Sequence, residues 1–222
     1  MDVLDLFHLD QMPAKRKRWM HHYKELVKRQ LLLNGGERTH LSKNPVMSGW
    51  VGSIVETFPD ARIVVLLRDP AECVPSLLKL VEISWKSKGW RQEDYAHSLA
   101  LLLETSFESF ENPAQQLAAR SNTPRAIVDY RELTRQPQET VHAVYAALGM
   151  TVSPQFDDFL RANAEREKRH HSKFEYSLGD YALSHEVLEQ RLADFYLRYG
   201  WPGHSGADPG PGAGTETERA PA

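Results

Sequence analysis

Apolar positions recur along the chain in two registers. Trp19, Tyr23, Leu26, Val27 and Leu31 fall three or four apart, one face of a helix from Pro13 to Leu33, and Asn34-Gly35-Gly36 ends it. Trp50, Val51, Ile54, Val55 and Phe58 repeat the helical spacing over 46–57. Between these two stretches, Arg38 to Lys43 reads as a short strand, halted at Asn44-Pro45 because a residue before proline leaves the helical region. After the Pro59-Asp60 turn, Ile63-Val64-Val65-Leu66-Leu67 is a continuous apolar run, as expected of a parallel strand covered on both faces. Asp69 then predicts a helix cap and Pro70 a first helical position. A long helix over Glu93 to Phe110 leads to a third strand, Arg125 to Asp129. Helices at Pro137 to Leu148, Pro154 to Lys168 and Ser184 to Tyr199 close the pattern. Helices alternating with short apolar strands predict an α/β fold, a three-layer parallel sheet flanked by helices.

Composition narrows this. In 222 residues, 41% hydrophobic, there is material for one domain with a sizeable core. The residues from Gly203 onward include no large apolar side chain, so 203–222 are expected to be a disordered tail and 1–202 the domain. A net charge of -3 argues against nucleic acid and acidic membranes as partners. The run Lys15-Arg16-Lys17-Arg18 opens an amphipathic helix and reads as a solvated face, with a nucleic-acid or helical-adaptor module as the rival. A lone cysteine, Cys73, favours a reducing compartment. No apolar run reaches the ~18 residues of a membrane span, and the opening MDVLDLFHLD lacks a basic leader. A cytoplasmic protein is the expectation.

Candidate chemistry collects where strands end. Three predicted strands finish at Lys43, Arg68 and Tyr130, and open parallel sheets bind ligands beyond their carboxyl edge. Arg68 can hold a phosphate through two parallel hydrogen bonds, beside the amino end of the next helix. On these residues alone, a simple Arg68–Asp69 pairing is an equal reading. No clustered Cys or His spacing suggests a metal.

The segment Phe58-Pro-Asp-Ala-Arg-Ile-Val-Val-Leu-Leu-Arg-Asp-Pro-Ala-Glu-Cys-Val-Pro-Ser76 resembles the 3′-phosphate-binding segment of sulfotransferases that use 3′-phosphoadenosine 5′-phosphosulfate (PAPS). The resemblance implies that Arg68 and Ser76, eight residues apart, hold that phosphate. Leu41-Ser-Lys-Asn-Pro45 is similar to the family's Lys-x-Pro segment, implying that Lys43 approaches the transferred sulfuryl group. Val128-Asp-Tyr-Arg-Glu-Leu133 resembles its Tyr-x-x-Leu segment, implying that Tyr130 lies near the adenosine. His170-His-Ser-Lys-Phe-Glu-Tyr-Ser-Leu178 and the helix running to Trp201 resemble its carboxyl-terminal pattern. The implied fold is the P-loop-like sulfotransferase fold. The implied reaction is sulfuryl transfer from PAPS to a hydroxyl or amine of a small-molecule or carbohydrate acceptor; a homodimer is left open. Segments 84–110 and 160–180 are expected to shape the acceptor pocket.

Two parts of that pattern are not matched. No glycine- or serine-rich loop between a strand and a helix is found for the 5′-phosphosulfate, since Asn34-Gly35-Gly36 follows a helix. The sequence reading is therefore a domain incomplete at its amino terminus: a truncated product, one half of a pair, or an inactive nucleotide-binding relic. The general base is also unassigned. His40 echoes a catalytic histidine but sits ahead of the expected register, where Met47 and Ser48 fall, and His170-His171 is a further option.

Overall fold

The computed structural model describes residues 3–167 and 177–201. The helices and strands, in order, are α1 (Pro13–Asn34), α2 (Val51–Thr57), β1 (Ile63–Leu67), α3 (Pro70–Ser87), α4 (Gln92–Ala118), β2 (Arg125–Asp129), α5 (Tyr130–Arg135), α6 (Pro137–Ala147), α7 (Pro154–Glu167), α8 (His185–Arg191) and α9 (Ala193–Tyr199). Three 3-10 segments, Val3–Gln11, Pro45–Trp50 and Leu178–Tyr181, join them. Contacts divide the chain into two compact units. One holds the residues up to Ala61 with Glu104–Thr123; the other holds Arg62–Leu103 and the residues from Pro124 onward.

In the first unit α1 starts at Pro13, where the missing N–H costs nothing, and buries Met20 and Val27. Leu9, Met20 and Trp50 form its core, with Trp19, Tyr23, Met47, Ile54 and Phe58 packed around them. Trp19 meets Trp50 edge-on at 6.4 Å, and Tyr23 meets Phe58 at 5.8 Å. Each such side chain contributes roughly 1.5–3 kcal/mol on leaving water. The Asp10 carboxylate accepts from the Gly52 and Ser53 backbone N–H groups at 2.9 Å each and from the Ser53 hydroxyl. Gly49 is required by contact, since a Cβ there would lie 1.9 Å from the Phe7 carbonyl oxygen. Of the basic run, Arg16 is committed to Glu56 at 3.4 Å, which also meets Arg120 at 3.2 Å.

The strand expected over Arg38–Lys43 does not form. These residues are irregular and exposed, Leu41 at 91%, and they pair with no strand among the described residues. Among the described residues the only sheet is the β1–β2 pair, so the three-strand, three-layer sheet read from the pattern reduces to an α/β arrangement with two parallel strands.

The second unit is organised by that pair. Ile63 is in register with Arg125 and Leu67 with Asp129. Full burial of β1 on both faces is the expectation from sequence; instead burial alternates, Val64 and Leu66 on one face being 47% and 52% exposed and Leu67 on the other buried. Leu67 and Val128 are buried. Arg62 donates through Nε to the Leu148 carbonyl at 2.9 Å, tying the start of β1 to the end of α6. The helix predicted over Ser184–Tyr199 is two helices, broken at the fully buried Leu192. Glu82 of α3 accepts from Tyr95 at 3.1 Å and Tyr181 at 3.3 Å and pairs with Lys86 at 2.9 Å. These donors, the Lys86 hydrogen bond first, hold its carboxyl below the usual range. The expected tail and the His170-His171 region lie outside the described residues.

Two outcomes follow. Asp10→Ala removes the acceptor for three donors, and thermal denaturation should show a loss of about 1–3 kcal/mol. Glu82 has a depressed folded pKa, so its contribution is present above about pH 4.3 and is lost as pH falls through the lower folded value. Melting curves from pH 6 to pH 3 should steepen less with pH in Glu82→Gln than in the wild type.

Candidate anion-binding site

The register fixes the site. Because Leu67 pairs with Asp129, the next residues, Arg68 and Tyr130, emerge side by side at the carboxyl edge of the sheet. The Arg68 guanidinium lies 5.1 Å from the centroid of the Tyr130 ring, a cation–π contact. Its Nε donates to Glu72 Oε2 at 3.1 Å, from the first turn of α3. Asp69 accepts from the Ala71 N–H at 2.8 Å and caps that helix, with Pro70 behind it. The amino end of α3, eighteen residues long, brings its positive dipole end to this edge.

β2 ends in the same way. Asp129 caps α5, accepting from the Arg131 N–H at 2.8 Å. The same carboxylate takes the Arg131 side chain through Nε at 2.9 Å and Nη2 at 2.5 Å. The Arg131 guanidinium rests on the Trp201 ring, 4.0 Å from its centroid. Arg68, Asp69, Glu72, Tyr130, Arg131 and Trp201 line one open cleft of about 120 Å³. Two guanidiniums, each on an aromatic face and each steadied by a neighbouring carboxylate, therefore share a space the size of a single anionic group. Drug-sized ligands occupy pockets of roughly 300 Å³ or more, so this cleft is smaller than such a pocket, and Asp69 and Glu72 share its lining with the arginines. Trp201 is 6% exposed, and its indole N–H is buried without a hydrogen-bond partner among the described residues. An unmade buried hydrogen bond costs about 1–3 kcal/mol.

The structure thus brings together Arg68 and Tyr130 of the five residues singled out by sequence. Ser76 sits half-buried on α3 and is not part of the cleft lining. Lys43 and His40 belong to the other unit, exposed in the irregular segment before Asn44, whose side chain accepts from the Val46 N–H. His170 and His171 lie outside the described residues. Desolvation pushes the Cys73 thiol up to about 12, so it is protonated and not nucleophilic near neutrality. Among the described residues no group of three or more His, Cys, Asp or Glu is arranged to hold a metal ion, and no helix is long and apolar enough to cross a membrane.

Sequence reasoning missed Glu72, Arg131 and Trp201. Arg131 carried a signal, since an acid two residues before an arginine at a strand end can cap and clamp together. Trp201 carried none, because it reaches the cleft from the far end of the chain.

The model of the sulfotransferase family matches residues 3–154, a span that includes both strands and all of the cleft except Trp201. No curated protein and no solved structure gives a significant match. With more than half of its length matched, the chain belongs to the sulfotransferase family.

Proposed function

We propose that the cleft at the ends of β1 and β2 binds the 3′-phosphate of PAPS, and that the protein transfers the sulfuryl group to a hydroxyl or amine of a small-molecule or carbohydrate acceptor. The observation that carries this reading is the Arg68–Tyr130 stack at the carboxyl edge of a parallel strand pair. Strand ends followed by a capped helix are where open parallel sheets take anionic ligands. The residues fit a phosphate: two guanidiniums, the amino end of α3 and a volume of about 120 Å³.

In this reading PAPS supplies the sulfuryl group when bound. Arg68 grips the 3′-phosphate through two parallel hydrogen bonds and Tyr130 faces the adenosine, fixing the register of the nucleotide; the hydroxyl that the resemblance asks of Ser76 would have to come from outside the cleft lining. Lys43 neutralises charge developing on the transferred oxygens, and the base that takes the acceptor proton is unassigned, with His40 a candidate out of register. A larger three-layer sheet of the P-loop-like kind belongs to the same proposal, with the exposed Val64 and Leu66 side chains covered by a further layer.

Calorimetry with adenosine 3′,5′-bisphosphate tests the site. The wild type should bind, and Arg68→Ala should bind more weakly by about 1.5–3 kcal/mol, the scale of a charged hydrogen bond. Equal affinity in the two proteins removes the assignment. Binding that persists without any transfer from PAPS to added acceptors leaves a nucleotide-binding relic in place of an enzyme.

A further inference from the structure

We infer that Arg131 and Trp201 form a second ligand-binding pair in this cleft, in which the Trp201 indole N–H donates to an oxygen of the bound phosphate group. The inference rests on the reading of the cleft as the nucleotide site and adds two residues that the strand-end pattern does not contain.

Three observations converge. The first is the orphaned donor: Trp201 lines the cleft and is almost fully buried, yet its N–H has no partner among the described residues. Phenylalanine would fill such a place without leaving a donor unmade, and the stack with Arg131 does not satisfy the indole N–H, so an acceptor arriving there would. The second is the guanidinium held over its ring, with Arg131 Cζ 4.0 Å from the Trp201 centroid. Asp129 fixes that group from the side through Nε and Nη2, so the arginine is presented rather than free to roam. The third is the repetition of the motif. Arg68 on Tyr130, held by Glu72, is the same device built at the end of the neighbouring strand.

Paired guanidiniums in one cleft of about 120 Å³ repel unless negative charge lies between them. Glu72 pairs with Arg68 and Asp129 with Arg131, and Asp69 also lines the cleft, so the protein's own carboxylates already balance the two guanidiniums. A bound phosphate would take the place of these weak, exposed carboxylate partners, and its several oxygens offer acceptors to both arginines and the indole N–H at once. The ligand class is therefore a nucleotide carrying a terminal phosphate monoester, with Arg68 on one side and the Arg131–Trp201 pair on the other.

Titration calorimetry with adenosine 3′,5′-bisphosphate on four proteins separates the possibilities. Trp201→Phe keeps the ring and deletes the donor, and should weaken binding roughly three- to tenfold. Arg131→Lys keeps the charge and deletes the fork, and should weaken it roughly tenfold. Should both bind like the wild type while Arg68→Ala is impaired, the inference fails and the cleft assignment stands. Failure of the wild type to bind at all sinks the cleft assignment and this inference with it. An independent readout needs no variant: in the ¹H–¹⁵N spectrum of the wild type, the assigned Trp201 indole resonance should move downfield as ligand is added. A stationary Trp201 signal under saturating ligand overturns the proposal.

Discussion

The structure of the candidate site depends on a single register. Five residues of β1 pair with five of β2 in parallel, and the last pair is Leu67 with Asp129. Each strand then gives way to a helix capped by an aspartate, Asp69 for α3 and Asp129 for α5. Everything beyond the ladder follows by continuation. A slip of one residue would send every side chain of one strand to the opposite face, separating Arg68 from Tyr130 and Asp129 from its place at the edge. Burial of Leu67, Ala126 and Val128 opposes that slip, so the hydrophobic contacts of the sheet set the geometry of the polar groups at its rim.

The parts legible in the sequence were those decided locally. β1 and β2 were read to the residue, because each is an apolar run bounded by turn or capping residues: Pro59-Asp60 before β1 and Asp69-Pro70 after it. The start of α3 was legible for the same reason. Arg38–Lys43 shows where that logic stops. A residue before proline is biased toward extended backbone, but extension becomes a strand only when another strand offers a ladder, and partner availability is not written locally. The single helix expected after Ser184 was broken because Leu192, a good helix former, is drawn fully into the core with a non-helical backbone. Of the site, Arg68 and Tyr130 were found because each ends a strand. Trp201 was invisible, since its place in the cleft is a tertiary fact with no local signature.

Glu82 shows how the helix behind the site is held. Its carboxylate gathers hydroxyls from Tyr95 on α4 and Tyr181 beyond α7, with Lys86 one turn away on its own helix. Tyr95 is fully buried, so its hydroxyl needs an acceptor, and Glu82 satisfies it while fixing α3 from behind. Burial and the adjoining carboxylate push Tyr181 well above the usual phenol range, so it remains a donor at any physiological pH. The amino end of α3, with Asp69 and Glu72, is thereby steadied by contacts made three turns further along.

The same economy governs the two arginines. Each is tied to a carboxylate close in sequence, Glu72 four residues after Arg68 and Asp129 two residues before Arg131. Exposed pairs of this kind contribute only about 0–1 kcal/mol, so they are poor candidates for stabilising the fold. Their effect is instead on conformational freedom. Arginine surrenders up to about 2 kcal/mol of rotamer entropy when immobilised, and a side chain already lying on an aromatic face beside a carboxylate has surrendered part of it before any ligand arrives. In the proposed site an incoming phosphate would compete with a weak, solvent-screened partner and gain a donor fork set in place. In the proposed site the carboxylate tethers therefore act both ways: they repel an incoming anion, and they hold each guanidinium in place on its aromatic ring, weakly enough to be exchanged.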